Sequence, residues 1–74
     1  MSQAPFHRVA ILGIGLIGSS LARVMRARGL AEEIVGFDGA EAVRARSAEL
    51  GLCDRLNDSP AEAVAGADLV MLCL

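Results

Sequence analysis

Two features of this 74-residue sequence could do chemistry, and they sit twenty residues apart. The first is Gly13-Ile14-Gly15-Leu16-Ile17-Gly18, a G-x-G-x-x-G run. Such a run binds a diphosphate when it leaves a strand and opens a helix. Gly13 permits a tight turn, Gly15 has no Cβ to hold a pyrophosphate away, and Gly18 lets the helix lie close on the sheet. The backbone N–H groups around Leu16, Ile17 and Gly18 would then face the phosphates. The second feature is Asp38, which closes the apolar run ending at Phe37. A carboxylate there accepts hydrogen bonds from adenosine ribose hydroxyls and repels a 2′-phosphate, so NAD is expected ahead of NADP. Position 39 is Gly rather than an Arg that would accommodate that phosphate. Arg44 and Arg46 lie on the following helix, so NADP is disfavoured without being ruled out.

The spacing of apolar residues supplies the elements these groups need. Val9–Leu12 is a short apolar run ended by Gly13 and suits a buried strand. Leu16–Arg28 has helical spacing, with Gly18, Ala22 and Met25 on one face. Gly29 stops it. Ile34–Phe37 predicts a second strand, and Ala40–Leu50 a surface-facing helix ended by Gly51. Leu52–Leu56 suits a short third strand. Ser59, Pro60 and Glu62 are three helix-start signals in one place, and the helix they open should stop near Gly66. Leu69–Leu74, six apolar residues in a row, predicts a fully buried fourth strand. Residues 1–7 read as a disordered lead-in and residues 8–74 as one unit. Strands alternating with helices imply a parallel sheet with helices on its faces.

Composition narrows the function. A net charge of −2 and a pI near 5.2 argue against nucleic acid, and two Phe with no Tyr or Trp leave no stacking platform. Cys53 and Cys73 stand twenty apart with no C-x-x-C, so they read as core thiols in a reducing compartment rather than a disulfide or metal site. Residues 8–29 could instead be a signal peptide. That reading weakens because three Gly interrupt the apolar stretch, an Arg-rich amphipathic helix follows, and the run is short of the ~20 residues a bilayer needs. A cytoplasmic protein with no membrane partner is expected. A phosphate loop of the ATPase type would need Lys where Ser19 stands. His7, the only His, precedes the first strand, and Ser19 and Ser20 lack a base, so no catalytic residue is assigned.

The wording of the motifs goes further than their spacing. "VAILGIGLIGSSLARVMRARG", "IVGFD", "ELGLCDRLND" and "GADLVMLCL" together resemble the N-terminal half of the prephenate/arogenate dehydrogenase family over residues 8–74. The resemblance implies an α/β partial Rossmann fold with a parallel sheet of order 3-2-1-4 and helices on both faces, truncated after the fourth strand. It implies NAD as cofactor, held at the pyrophosphate by Gly13, Gly15 and Gly18 and at the ribose by Asp38. Cys73 and Leu74 would lie close to the cofactor. The implied reaction is oxidative decarboxylation of prephenate or arogenate in tyrosine biosynthesis, with a homodimer built by a C-terminal domain. Catalytic His and substrate-binding Arg residues of that family match nothing here, so these 74 residues alone are expected to show no turnover. The mean hydropathy of +0.50 is high for so short a soluble chain, which fits the cofactor-binding front of a longer enzyme. Two rivals remain: another NAD(P)-dependent dehydrogenase or reductase, and a non-catalytic NAD(H)-sensing module.

Overall fold

The computed structural model describes residues 4–73. Its elements run β1 (Phe6–Leu12), α1 (Leu16–Ala27), β2 (Ala31–Phe37), α2 (Glu41–Leu50), β3 (Arg55–Asn57), α3 (Pro60–Val64) and β4 (Leu69–Leu72). The four strands form one parallel sheet of order β3-β2-β1-β4. That is the order implied by the resemblance. In the central pair Val9 stands opposite Ile34 and Leu12 opposite Phe37, while β4 sets Leu72 beside Leu12. The carboxyl ends of β2, β1 and β4 therefore come out level, side by side.

Alternation along the strands divides the core between the two faces of the sheet. Val9, Ile11 and Ile34 pack with Ile14, Leu52 and the Ala22–Met25 face of α1. The buried face of α1 is Gly18, Ala22 and Met25, as the helical spacing predicts. Ala10 and Val35, both fully buried, alternate with that set on the face where α3 packs with Ala63. Helix α2 buries only Ser47, in keeping with its surface-facing composition. The helix stops also follow expectation: Gly29 and Gly51 take left-handed φ angles of 62° and 65°, where a Cβ would be strained. Ser59 caps α3 by accepting a hydrogen bond from the Glu62 N–H.

All four strands differ from their sequence-based reading, each for a tertiary reason. Strand β2, expected over Ile34–Phe37, begins at Ala31 because Ala31 and Glu33 pair with Phe6 and Arg8 of β1. Strand β1 begins at Phe6 because its N–H donates to the Leu30 carbonyl at 3.1 Å and the strand pairs with Ala31. Strand β3 starts at Arg55 rather than Leu52. Leu52 is drawn into the core, and Asp54 docks on β2: its N–H donates to the Ile34 carbonyl at 2.8 Å and its Oδ2 accepts the Ile34 N–H at 2.7 Å. Strand β4 is not buried on both faces. Leu69 and Met71 pack on the core, whereas Val70 is 42% and Leu72 71% exposed. The face carrying those two is the one α3 serves, and this five-residue helix packs mainly over β1, β2 and β3.

The amino end of the sheet is closed by charge. Glu33 bridges Arg8 and Arg55, and Asp68 accepts the His7 N–H at 2.6 Å. His7 is therefore at the end of β1 opposite the glycine loop.

Candidate functional site: a glycine loop braced by an acid

The chain leaves β1 through Gly13, whose φ of 96° is closed to ordinary residues. Its N–H donates to the Phe37 carbonyl at 2.7 Å, so the loop starts anchored to β2. Ile14 then turns inward and is 1% exposed. Its N–H donates to Asp38 Oδ2 at 2.9 Å, and its carbonyl accepts the Ser19 hydroxyl at 2.8 Å. Ile14 thus acts as the buried anchor of the loop, with its N–H spent on the acid.

Gly15 occupies the cap position of α1, and no side chain caps that helix. A helix start ordinarily recruits Ser, Thr, Asp or Asn to satisfy its first N–H groups. The first bond of α1 runs from the Ser19 N–H to the Gly15 carbonyl at 2.9 Å, which leaves the N–H groups of Leu16, Ile17 and Gly18 at the open end. A Cβ on Gly15 would meet no atom within 4 Å. Its empty side faces outward, as room for a ligand requires. Leu16 and Ile17 are 91% and 68% exposed, so their side chains stand in solvent rather than over the backbone N–H groups as packed core. Gly18 answers a different constraint: a Cβ there would lie 2.1 Å from the Gly13 carbonyl oxygen. The helix lies against the loop as closely as backbone allows.

Asp38 stands at the end of β2, against this loop. Besides holding Ile14, its Oδ1 accepts the Ala40 N–H at 2.9 Å. Each carboxylate oxygen keeps acceptor capacity beyond these bonds. Cys73 closes the other side, its N–H donating to the Leu12 carbonyl at 2.8 Å. Gly13 to Gly18, Asp38 and Cys73 thus gather at the carboxyl ends of three neighbouring strands, where parallel α/β sheets bind ligands. Leu74 lies outside the described residues.

Three contributors escape the motif. Gly36 leaves room for the loop's anchor: a Cβ there would come within 2.8 Å of the side-chain tips Ile14 Cδ1 and Cys53 Sγ, which now pack over bare backbone. Its sequence signal is the Gly of "IVGFD", in a strand where Gly is otherwise unfavourable. Ser19 pins the loop from the first turn of α1. Arg44 donates from Nη1 to the Asp38 carbonyl at 2.6 Å.

The two cysteines are free and half-buried. Burial pushes the Cys53 thiol up to about 11, the nearby Arg26 guanidinium opposing the shift and Asp54 adding to it. The thiol is favoured in the folded state, so its contribution to stability is complete below pH ~9 and is lost as pH rises through about 11. At pH 8 Cys53 is expected to react with iodoacetamide at least tenfold more slowly in the folded protein than in urea, read by peptide mass spectrometry. Equal rates would contradict its burial. Among the described residues no group of His, Cys, Asp and Glu could hold a metal ion, and no helix is long and apolar enough to cross a membrane.

Comparison with known proteins adds the family. The family described as NADP oxidoreductase coenzyme F420-dependent matches residues 8–74. The chain belongs to that family. The chain is similar to a cyclohexadienyl dehydrogenase of Zymomonas mobilis, with 44% identity over 69 residues, or 93% of this chain and 24% of that protein. It also resembles the crystal structure of prephenate dehydrogenase from A. aeolicus in complex with hydroxyphenyl propionate and NAD+. That match has a TM-score of 0.80 and 31% identity, and covers 89% of this chain and 23% of the other. The chain thus spans about a quarter of the length of these relatives. The resemblance drawn from the glycine motif and the strands around it is borne out by both.

Proposed function

We propose that this chain is the cofactor-binding portion of an NAD-dependent prephenate or arogenate dehydrogenase. The observation that carries the reading is the bond between Ile14 and Asp38, which makes the glycine loop and the acid one site rather than two motifs. The open side of Gly15 and the uncapped start of α1 fit a dinucleotide pyrophosphate. Asp38 would hold the adenosine ribose, with Gly13 and Gly18 shaping the loop and Cys73, just past β4, flanking the cofactor. When bound, the nicotinamide ring supplies a hydride acceptor. The reaction so served takes hydride from the carbinol carbon of a cyclohexadienol, and loss of carbon dioxide makes the ring aromatic. The neighbouring structure's NAD+ and hydroxyphenyl ligand, and the curated relative's cyclohexadienyl substrate, support this choice. Catalytic and substrate-binding residues fall outside these elements. A homodimer assembled by a further domain and a cytoplasmic site of action complete the proposal.

The family's description also names NADP and coenzyme F420, which favours a second reading in which the same half-site serves another nicotinamide oxidoreductase. Oxidation of prephenate or arogenate by the full natural chain separates the two.

Calorimetric titration with NAD+ tests the site itself, with Gly15→Ala beside the wild type. The added methyl meets only open space, so stability should fall by no more than ~1 kcal/mol, the usual difference between Gly and Ala at a helix cap. NAD+ affinity should fall at least tenfold, ~1.4 kcal/mol, because the methyl stands where the pyrophosphate approaches. Undiminished binding in that variant would reject the loop as the phosphate site.

A further inference from the structure

Arg44 has a position that its sequence neighbourhood does not announce. It lies in the first turn of α2, half-buried, and its Nη1 reaches back to the carbonyl oxygen of Asp38 at 2.6 Å. The side chain therefore ends on the very residue assigned to the adenosine ribose. The other arginine of α2, Arg46, pairs with Glu49 at 3.4 Å. Arg44 forms no ion pair among the described residues, and one bond to a carbonyl leaves most of its N–H groups uncommitted. Arg44 also lines an open groove of about 510 Å³ with Glu41, Asn57 and Asp58. The two acids on that groove limit how much negative charge it accepts.

Asp38 alone would refuse a 2′-phosphate by like-charge repulsion. A guanidinium anchored to the same residue opposes that repulsion and can move from the carbonyl to a phosphate oxygen, exchanging a neutral acceptor for a charged one. We propose that Arg44 is the specificity-determining residue for the ribose 2′ position, offsetting Asp38 so that the site takes NADP+ as well as NAD+. The inference rests on the reading of this site as a dinucleotide site. It changes the expectation drawn from Asp38 and Gly39, under which NADP is disfavoured.

The test is titration of the full natural chain with NAD+ and NADP+, in wild type, Arg44→Gln and Arg44→Lys. Gln keeps a donor for the Asp38 carbonyl and removes the charge; Lys keeps the charge. In Arg44→Gln, the ratio of NADP+ to NAD+ affinity should fall about tenfold or more. Arg44→Lys should recover most of the loss. A ratio of the two affinities unchanged in Arg44→Gln overturns the proposal. Competition of 2′,5′-ADP and 5′-AMP against NAD+ on the wild type tests it without any variant. A 2′-phosphate that abolishes competition overturns it too. Wild-type protein that binds NAD+ and refuses NADP+ removes the role of Arg44 alone. Wild-type protein that binds neither removes the dinucleotide reading, and this inference with it.

Discussion

Gly18→Ala is expected to destabilise the chain by ~1–3 kcal/mol, even though Ala is the better helix former. The two effects oppose each other and can be compared. Replacing Gly by Ala inside a helix contributes ~1 kcal/mol of stability through backbone entropy. Against that, the new methyl would lie 2.1 Å from the Gly13 carbonyl oxygen and 3.3 Å from Ile11 Cγ2. The nearest obstacle is backbone, which has no rotamer to escape into, so the helix itself must shift. Any shift loosens Ala22 and Met25, the buried residues that fix α1 on the sheet. For a small domain with ~3–5 kcal/mol in total, that loss is most of what holds it folded. Urea melts of the wild type and variant decide the matter, and a variant as stable as the wild type would show that helix and loop are not in contact. NAD+ binding should fail along with stability, because the N–H groups of the first turn move with the helix.

Asp38→Ala should lower NAD+ affinity at least a hundredfold and also cost stability, two effects with separate causes. Hydrogen bonds from ribose hydroxyls to a carboxylate contribute ~1.5–3 kcal/mol each, and two of them account for the loss in affinity. The stability cost comes from the protein's own use of the same carboxylate. Without it the part-buried Ile14 N–H and the Ala40 N–H lose their acceptor, a penalty of ~1–3 kcal/mol for the more buried group. NADP+ affinity should fall less than NAD+ affinity, since the variant also loses a repulsion. Calorimetry with both dinucleotides, paired with urea melts, separates these terms. Full NAD+ affinity in a destabilised variant would make Asp38 a brace for the loop and nothing more.

Much of this arrangement was legible locally. Gly13 and Gly18 are glycines for conformational and steric reasons that act within six residues, and a short-range motif expresses such reasons completely. The same holds for the stops at Gly29 and Gly51 and for the cap of α3 by Ser59. The start of β3 and the one-sided burial of β4 depart from what their apolar runs suggest, because an apolar run does not by itself specify burial. Whether an apolar residue is buried depends on what lies across from it. Leu52 finds the core and so leaves the strand, whereas Leu72 stays 71% exposed. The sequence carries no local sign of either fact.

By itself the sequence determined the order of strands and helices, the left-handed turns, the uncapped start of α1 and the presence of an acid after the second strand. Each of these follows from propensity, periodicity or the absence of a Cβ, and needs only neighbours along the chain. The tertiary structure alone decided that Asp38 holds the N–H of Ile14, that Gly36 lies beneath Ile14, that Asp54 docks on Ile34 and that Arg44 reaches Asp38. The first three join strands whose register is set by how the intervening helices pack, which no short stretch specifies. The last depends on where a long, flexible side chain comes to rest. Spacing placed the glycines and the acid on the same edge of the sheet, and packing made them one site.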